Sequence, residues 1–213
     1  MNQAVSTILI VSVIMNFMAL GSSNLKSCIR AAAMQGLLLS LFPLFFSSVI
    51  TMRLGLLVAV AMTVKGFLIP SLLYRALRDV HIRHEMEPYL GLVPSVLLCA
   101  VGTALAMLFA SKLPLADAHR ELLVGPTSLS ILLTGFLLLT TRRKAISQVT
   151  GYLMLENGIF VFAQLLHEAM PFLVEAGVLL DLVVGVFVMG IVMNHIQREF
   201  SSLDTEQLSE LRD

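Results

Sequence analysis

The sequence predicts an all-α, polytopic integral membrane protein with about seven transmembrane helices. Three observations carry this. Of the 213 residues 57% are hydrophobic and 13% charged, with a mean hydropathy of +0.89, more apolar surface than a soluble domain can hide. Apolar runs of about 20 residues recur along the chain, the length a helix needs to cross a hydrocarbon core. Strand-like alternation is absent, which argues against a β-barrel and leaves helices to satisfy the backbone in lipid.

Taken in order, the spans are expected at 4–21, 28–50, 54–76, 90–110, 122–141, 146–167 and 172–194. The first begins without a basic segment, since the first Lys is Lys26, and ends at Gly21-Ser22-Ser23-Asn24 with no clear cleavage site. It therefore reads as a retained helix, not a signal peptide. The second carries Pro43, and the third holds Lys65 and Pro70. Spans six and seven meet in a short turn at Ala169, Met170 and Pro171. The short connections suit antiparallel neighbours and leave no room for an inserted soluble domain.

Basic residues set the orientation. With seven spans, Lys26, Arg30, Arg75, Arg78, Arg83, Arg142, Arg143, Lys144, Arg198 and Arg212 fall on one side. Only Arg53, Lys112 and Arg120 fall on the other. The positive-inside rule puts the larger group, and the C-terminus, in the cytoplasm and the N-terminus outside. This is the pattern of a multi-pass protein of the cell (cytoplasmic or inner) membrane.

Three ionisable residues sit deep in apolar runs. Glu156 lies ten residues into span six, Asp181 about nine into span seven and Lys65 eleven into span three. At 1.5 Å per residue these depths are roughly 15, 14 and 17 Å, close to the middle of a core about 30 Å thick. Ionisable groups at that depth are costly and mark ion pathways by default. Desolvation favours the neutral form of an acid and of an amine alike, so such groups suit a proton relay. The bland alternative is a buried ion pair or triad that only fixes helix packing.

Accessory residues are weaker. His167 shares a helix face with Glu156, three turns away, and either links it to the outer surface or is a plain interfacial His beside Glu168. Gln148, Asn157 and Gln164 suit water or interhelical hydrogen bonds. Glu175 lies near the outer interface, on the path or merely solvated. Gly151 and Gly158, seven apart, suit close helix contact. The twelve Met and twelve Phe read mainly as core and lipid-facing filler.

Cys28 and Cys99 stand alone, without the paired spacing of a zinc, nickel or iron–sulfur site, so no cofactor or metal is expected in this chain. Net charge is zero, and no basic surface points to nucleic acid. The polar tail 201–213 is either a solvated end or a docking segment for a cytoplasmic subunit.

Spans six and seven and the tail resemble the K subunit of respiratory complex I and its relatives in Mrp-type cation antiporters. Two of that subunit's three helices carry a membrane glutamate in the proton path. Its pattern of an acid, three residues and Gly appears here as Asp181-Leu182-Val183-Val184-Gly185. Its second pattern is Gly, one residue, Glu, then Asn four further on. Gly151 and Asn157 hold its ends, but Leu153 occupies the Glu position, and Glu156 comes three residues later. That is nearly one turn, a shift of about 4.5 Å in depth on a similar face.

The full length, the Lys65–Pro70 element and the phrase Gly151-Tyr152-Leu153-Met154-Leu155-Glu156-Asn157-Gly158 resemble the hydrogenase-4 component E family. The resemblance implies a non-catalytic membrane subunit of a formate hydrogenlyase-type, group 4 nickel–iron hydrogenase complex, an oxidoreductase. It implies antiporter-like and anchoring membrane subunits as partners, with soluble nickel–iron hydrogenase and iron–sulfur subunits. The expected organisation is a five-helix membrane region over 1–145, a K-subunit-like helix pair over 146–200 and a cytoplasmic tail over 201–213. The expected function is proton or sodium translocation through Asp181, Glu156 and Lys65. Two alternatives stay open: a purely structural membrane-arm subunit, and a stand-alone small-solute transporter. The latter calls for a repeat with broken helices in both halves, and Pro43 and Pro70 do not occupy corresponding positions.

Overall fold

The computed structural model describes residues 2–46, 51–79, 89–112 and 123–166, and in the last apolar stretch 170, 172, 174, 176–181, 183, 185, 186 and 190. The regular elements among these residues are all helices. They are α1 (Asn2–Leu20), α2 (Leu25–Ser40), α3 (Pro43–Phe46), α4 (Met52–Thr63), α5 (Ile69–Asp79), α6 (Leu92–Ala110), α7 (Val124–Thr141) and α8 (Ala145–Gln164), with a π-helical turn, Val64–Leu68, joining α4 to α5. The described positions from 172 to 190 are helical, save 170 before them.

Five stretches are long and apolar enough to cross a membrane: Gln3–Leu20, Leu25–Phe45, Met52–Arg78, Leu92–Ala110 and Val124–Thr141. They coincide with the first five expected spans. Helix α8 occupies the place of the sixth and has the length, but it is too polar to join them. Its Ser147, Thr150, Glu156, Asn157 and Gln164 are all buried against other helices. It is the inner helix of the bundle, and its polar groups face protein.

The second span, expected over 28–50 with Pro43 inside it, is interrupted before that proline. Asn24 caps α2, its Oδ1 accepting from the Lys26 N–H at 2.9 Å. The helix stops at Ser40, the chain turns at Leu41 and Phe42, and Pro43 opens α3. Proline has no N–H to continue an α-helical ladder, but is well suited to a first helical position.

Pro70 acts differently in the third span. An uninterrupted α-helix would need its N–H for the Gly66 carbonyl, and none exists. The backbone widens into the π turn just before it, and the Ile69 N–H reaches back five residues to the Val64 carbonyl. Such turns displace side chains from the α-helical register and recur at functional sites. Lys65 stands in this one.

Helices α7 and α8 form the most extensive pair. A Cβ on Gly151 would lie 2.6 Å from the Leu139 N and 2.9 Å from the Gly135 O, and one on Gly158 would lie 2.7 Å from the Leu132 N. The helices approach backbone to backbone, as expected for Gly151 and Gly158. Helix α8 also packs on α2, α1 packs on α2 and α7, and α6 lies on α7 at the edge.

Two apolar clusters fill the bundle. One includes Met15, Leu20, Ile29, Leu138, Val149 and Met154, and the other Leu9, Leu39, Phe42, Ile131, Phe160 and Val161. On each of α1, α2, α7 and α8 buried polar residues lie at or near the boundary between the clusters: Ser12 and Asn16, Gln35, Ser130 and Thr134, Glu156 and Asn157. The fold thus holds a polar layer between two apolar ones.

The α7–α8 junction is anchored by Arg142, which is fully buried and donates from Nη2 to the Leu20 carbonyl at 2.8 Å. A cation at that end of α1 complements the helix dipole. Burial pulls the guanidinium pKa below its usual value, partly offset by the neighbouring Cys28. Gln148, expected to bind water or a neighbouring helix, donates instead to the Arg142 carbonyl at 2.9 Å.

Candidate functional site

The polar layer centres on Lys65. Its Nζ lies 3.2 Å from Glu156 Oε1 and 3.4 Å from Asp181 Oδ2. The sequence left open whether Lys65 contacts either acid; it contacts both. Three elements meet here: the π turn, the middle of α8 and the helical stretch carrying residue 181. Exposure is 8% for Lys65, 2% for Glu156 and 23% for Asp181, so Asp181 is the member closest to the bundle surface.

Small residues make this approach possible. A Cβ on Gly185, one turn beyond Asp181, would lie 3.3 Å from Glu156 Oε2. The acid–three residues–Gly pattern therefore has a spatial reading: Asp181 reaches Lys65 while Gly185 leaves room for the other carboxylate. On the opposite side, a Cβ on Gly36 of α2 would lie 3.3 Å from both Lys65 Cβ and Asn157 Oδ1.

Asn157 continues the cluster. Lys65 Nζ donates to its Oδ1 at 3.4 Å, and its Nδ2 donates to Gln35 Oε1 at 3.4 Å. Gln35 Nε2 donates to Asn16 Oδ1 at 2.9 Å, and Asn16 Nδ2 to Ser130 Oγ at 3.4 Å. Ser130 and Thr103 share a hydrogen bond of 2.8 Å. From the ammonium outward, every amide presents its oxygen toward Lys65 and its nitrogen away. Dipoles aligned this way polarise one another and stabilise positive charge at the lysine end. Two carboxylates share one ammonium, so the ionised cluster carries an excess negative charge.

Both Glu156 oxygens are buried with no hydrogen-bond donor aligned on them among the described residues, so Lys65 meets this carboxylate as a charge. Phe160, one turn along α8, places its ring 5.2 Å from Lys65 Nζ. Among phenylalanines that read mainly as filler, Phe160 has this added contact: the ring face is a desolvated cation's partner. Gln164 is buried, and its Oε1 has no donor among the described residues. His167 and Glu175, named as accessory candidates, lie outside the described residues, as does the tail 201–213. Sequence reasoning missed Asn16, Gln35 and Phe160. The available signal was weak: single amides inside otherwise apolar helices.

Cys28 and Cys99 are buried and not disulfide-bonded. Among the described residues no three His, Cys, Asp or Glu side chains gather as a metal site would need.

Comparison with known proteins follows the same lines. No family model matches the chain, and no solved structure matches it. The uncharacterized protein Rv0085 of Mycobacterium tuberculosis is 31% identical over 194 residues, spanning 89% of this chain and 87% of that protein. Hydrogenase-4 component E of Escherichia coli K12 is 29% identical over 156 residues, 72% of this chain and 71% of that protein. The protein of the same name from Shigella flexneri matches equally. A chain with these helices is membrane-embedded, and it belongs to the family represented by Rv0085, with a similarity that extends to hydrogenase-4 component E.

Proposed function

We propose that this chain is a proton-translocating membrane subunit of a hydrogenase-related, complex I-like energy-converting complex. One observation carries the reading: a lysine and two carboxylates in contact inside a bundle of membrane-length helices. The similarity to hydrogenase-4 component E supports a hydrogenase-related host complex. Region 1–145 provides Lys65, and the helix pair 146–200 provides Glu156 and Asp181. Redox chemistry elsewhere in the complex drives the ion, and this chain holds no cofactor of its own. Its partners are antiporter-like and anchoring membrane subunits, with soluble nickel–iron hydrogenase and iron–sulfur subunits beyond them. Sodium is the competing ion, and dependence of the gradient on added sodium at fixed pH separates the two.

In this reading Asp181 is the entry group, since it is the most exposed of the three. A proton that neutralises Asp181 frees Lys65 for Glu156, and release from Asp181 reverses the exchange. Asp181→Asn in the assembled complex tests this. Asn keeps the size and hydrogen-bonding capacity but carries no ionisable proton. The complex should assemble and the soluble subunits should continue electron transfer, while the ion gradient they build falls to near background. Asp181→Glu should restore part of it. If Asp181→Asn builds the parent gradient at equal complex abundance, the cluster only fixes packing, and the purely structural alternative is the better account.

Orientation in the cytoplasmic (inner) membrane follows from charge: seven spans, N-terminus outside, C-terminus and tail 201–213 in the cytoplasm. A reporter fused after Asp213 is expected to read cytoplasmic, and one inserted in the turn 169–172 external. The opposite pair of signals would reverse the topology, and two signals on the same side would remove a span.

A further inference from the structure

Two cavities flank the ion cluster. The first is a partly open pocket with a water-accessible volume of about 10 Å³, and it includes Lys65, Glu156 and Asn157 in its wall. The second, also partly open, has a water-accessible volume of about 20 Å³ and has Phe160 and Gln164 in its wall. Three stretches of chain contribute to both, and each is divided at the same level. Helix α2 gives Ala32 to the first and Ser40 to the second. The α4–α5 stretch gives Leu73 to the first and Val58 to the second. Helix α8 gives Glu156 to the first and Gln164 to the second. The cavities are therefore stacked along the bundle axis, one on each side of the Lys65 level.

Phe160 stands at the division. It belongs to the wall of the second cavity, while its ring lies over Lys65 Nζ, a member of the first. The far side of the ring carries an independent sign of a hydrated path: Gln164 is 1% exposed, lines the second cavity, and its Oε1 receives no hydrogen bond among the described residues. A buried amide oxygen in that state calls for a water. The first cavity has its own acceptors in the two Glu156 oxygens.

We propose that Phe160 is the gate between two half-paths, one reaching the ion cluster from each face of the membrane, with Gln164 as the polar station on the far side of the gate. This rests on the translocation reading and adds the route. The ring seals the ammonium from the second cavity by its apolar area and holds it by its π face. Swinging the ring aside connects Lys65 and Glu156 to Gln164. Leucine at this position would keep the seal, while alanine would join the cavities.

The test measures access from each face in the assembled complex. Cys28→Ala and Cys99→Ala remove the natural thiols, and Ala32→Cys or Gln164→Cys is then added. Sealed vesicles of both orientations are exposed to silver ion, a small membrane-impermeant thiol reagent, and protection from later maleimide labelling in detergent is read. Ala32→Cys should react at least several-fold faster from one face, and Gln164→Cys from the opposite face. Adding Phe160→Ala should erase both preferences and raise the passive proton leak several-fold, whereas Phe160→Leu should preserve sidedness at similar complex abundance. Reaction of both thiols from the same face, no reaction at either, or unchanged sidedness with Phe160→Ala overturns the gate. None of these readouts depends on Asp181 carrying a proton. A normal gradient in Asp181→Asn with sidedness intact would remove the relay and leave the gate standing.

Discussion

Gly151→Leu is expected to remove most of the folded protein from the membrane. The Cβ alone would meet backbone, the Leu139 N at 2.6 Å and the Gly135 O at 2.9 Å. Neither atom belongs to a flexible side chain, so α7 and α8 must separate. Membrane helices gain stability from close packing more than from any apolar driving force, and small residues at the contact permit it. Overpacking typically costs about 1–3 kcal/mol, and Leu adds its branched end to the same wall. The α7–α8 pair is the most extensive in the bundle, and α8 carries Glu156 and Asn157, so separation also draws the acid away from Lys65. Complex abundance on a native gel and the melting temperature in detergent should both drop sharply, with Gly151→Ala intermediate. Parent-like values for Gly151→Leu would mean that the helices do not touch here.

Much of this arrangement was legible before the fold. The acids at 156 and 181 and the lysine at 65 stood out because charge is expensive in an apolar run, and cost is readable from one segment at a time. Gly151 and Gly158 were legible because their seven-residue spacing repeats one helix face. What brings Lys65 to two acids 91 and 116 residues away is not a property of any segment. It depends on the π turn, which only Pro70 hints at, and on the space left at Gly36 and Gly185. The amides Asn16 and Gln35 escaped because an uncharged side chain in a membrane helix is common, and only tertiary contact gives it a direction. Pro43 stood out as a residue, but hydropathy is blind to a missing N–H and does not say how the helix breaks around it.

Lys65→Met is expected to disable ion translocation and to destabilise the bundle. Methionine matches the length of the lysine stem and fills the space by Phe160, so the loss is almost purely one of charge. Removing one partner of a buried ion pair costs about 3–5 kcal/mol where the remaining charge stays ionised. Here it leaves Glu156 and Asp181 facing each other with no ammonium between them, and it leaves the amide row from Asn157 to Asn16 aligned toward nothing. Each effect separates in a stepwise series. Lys65→Met should lower complex abundance and abolish the gradient. Combining it with Glu156→Gln and Asp181→Asn removes the stranded charges, and neutral, well-packed replacements of buried ion clusters are often tolerated or stabilising. The triple variant should therefore recover assembly to near the parent level while the gradient stays absent, as measured by native gel and by vesicle acidification under the same electron donor. Recovery of both together would identify the cluster as packing. Recovery of neither would show that the ammonium is needed for the bundle to form.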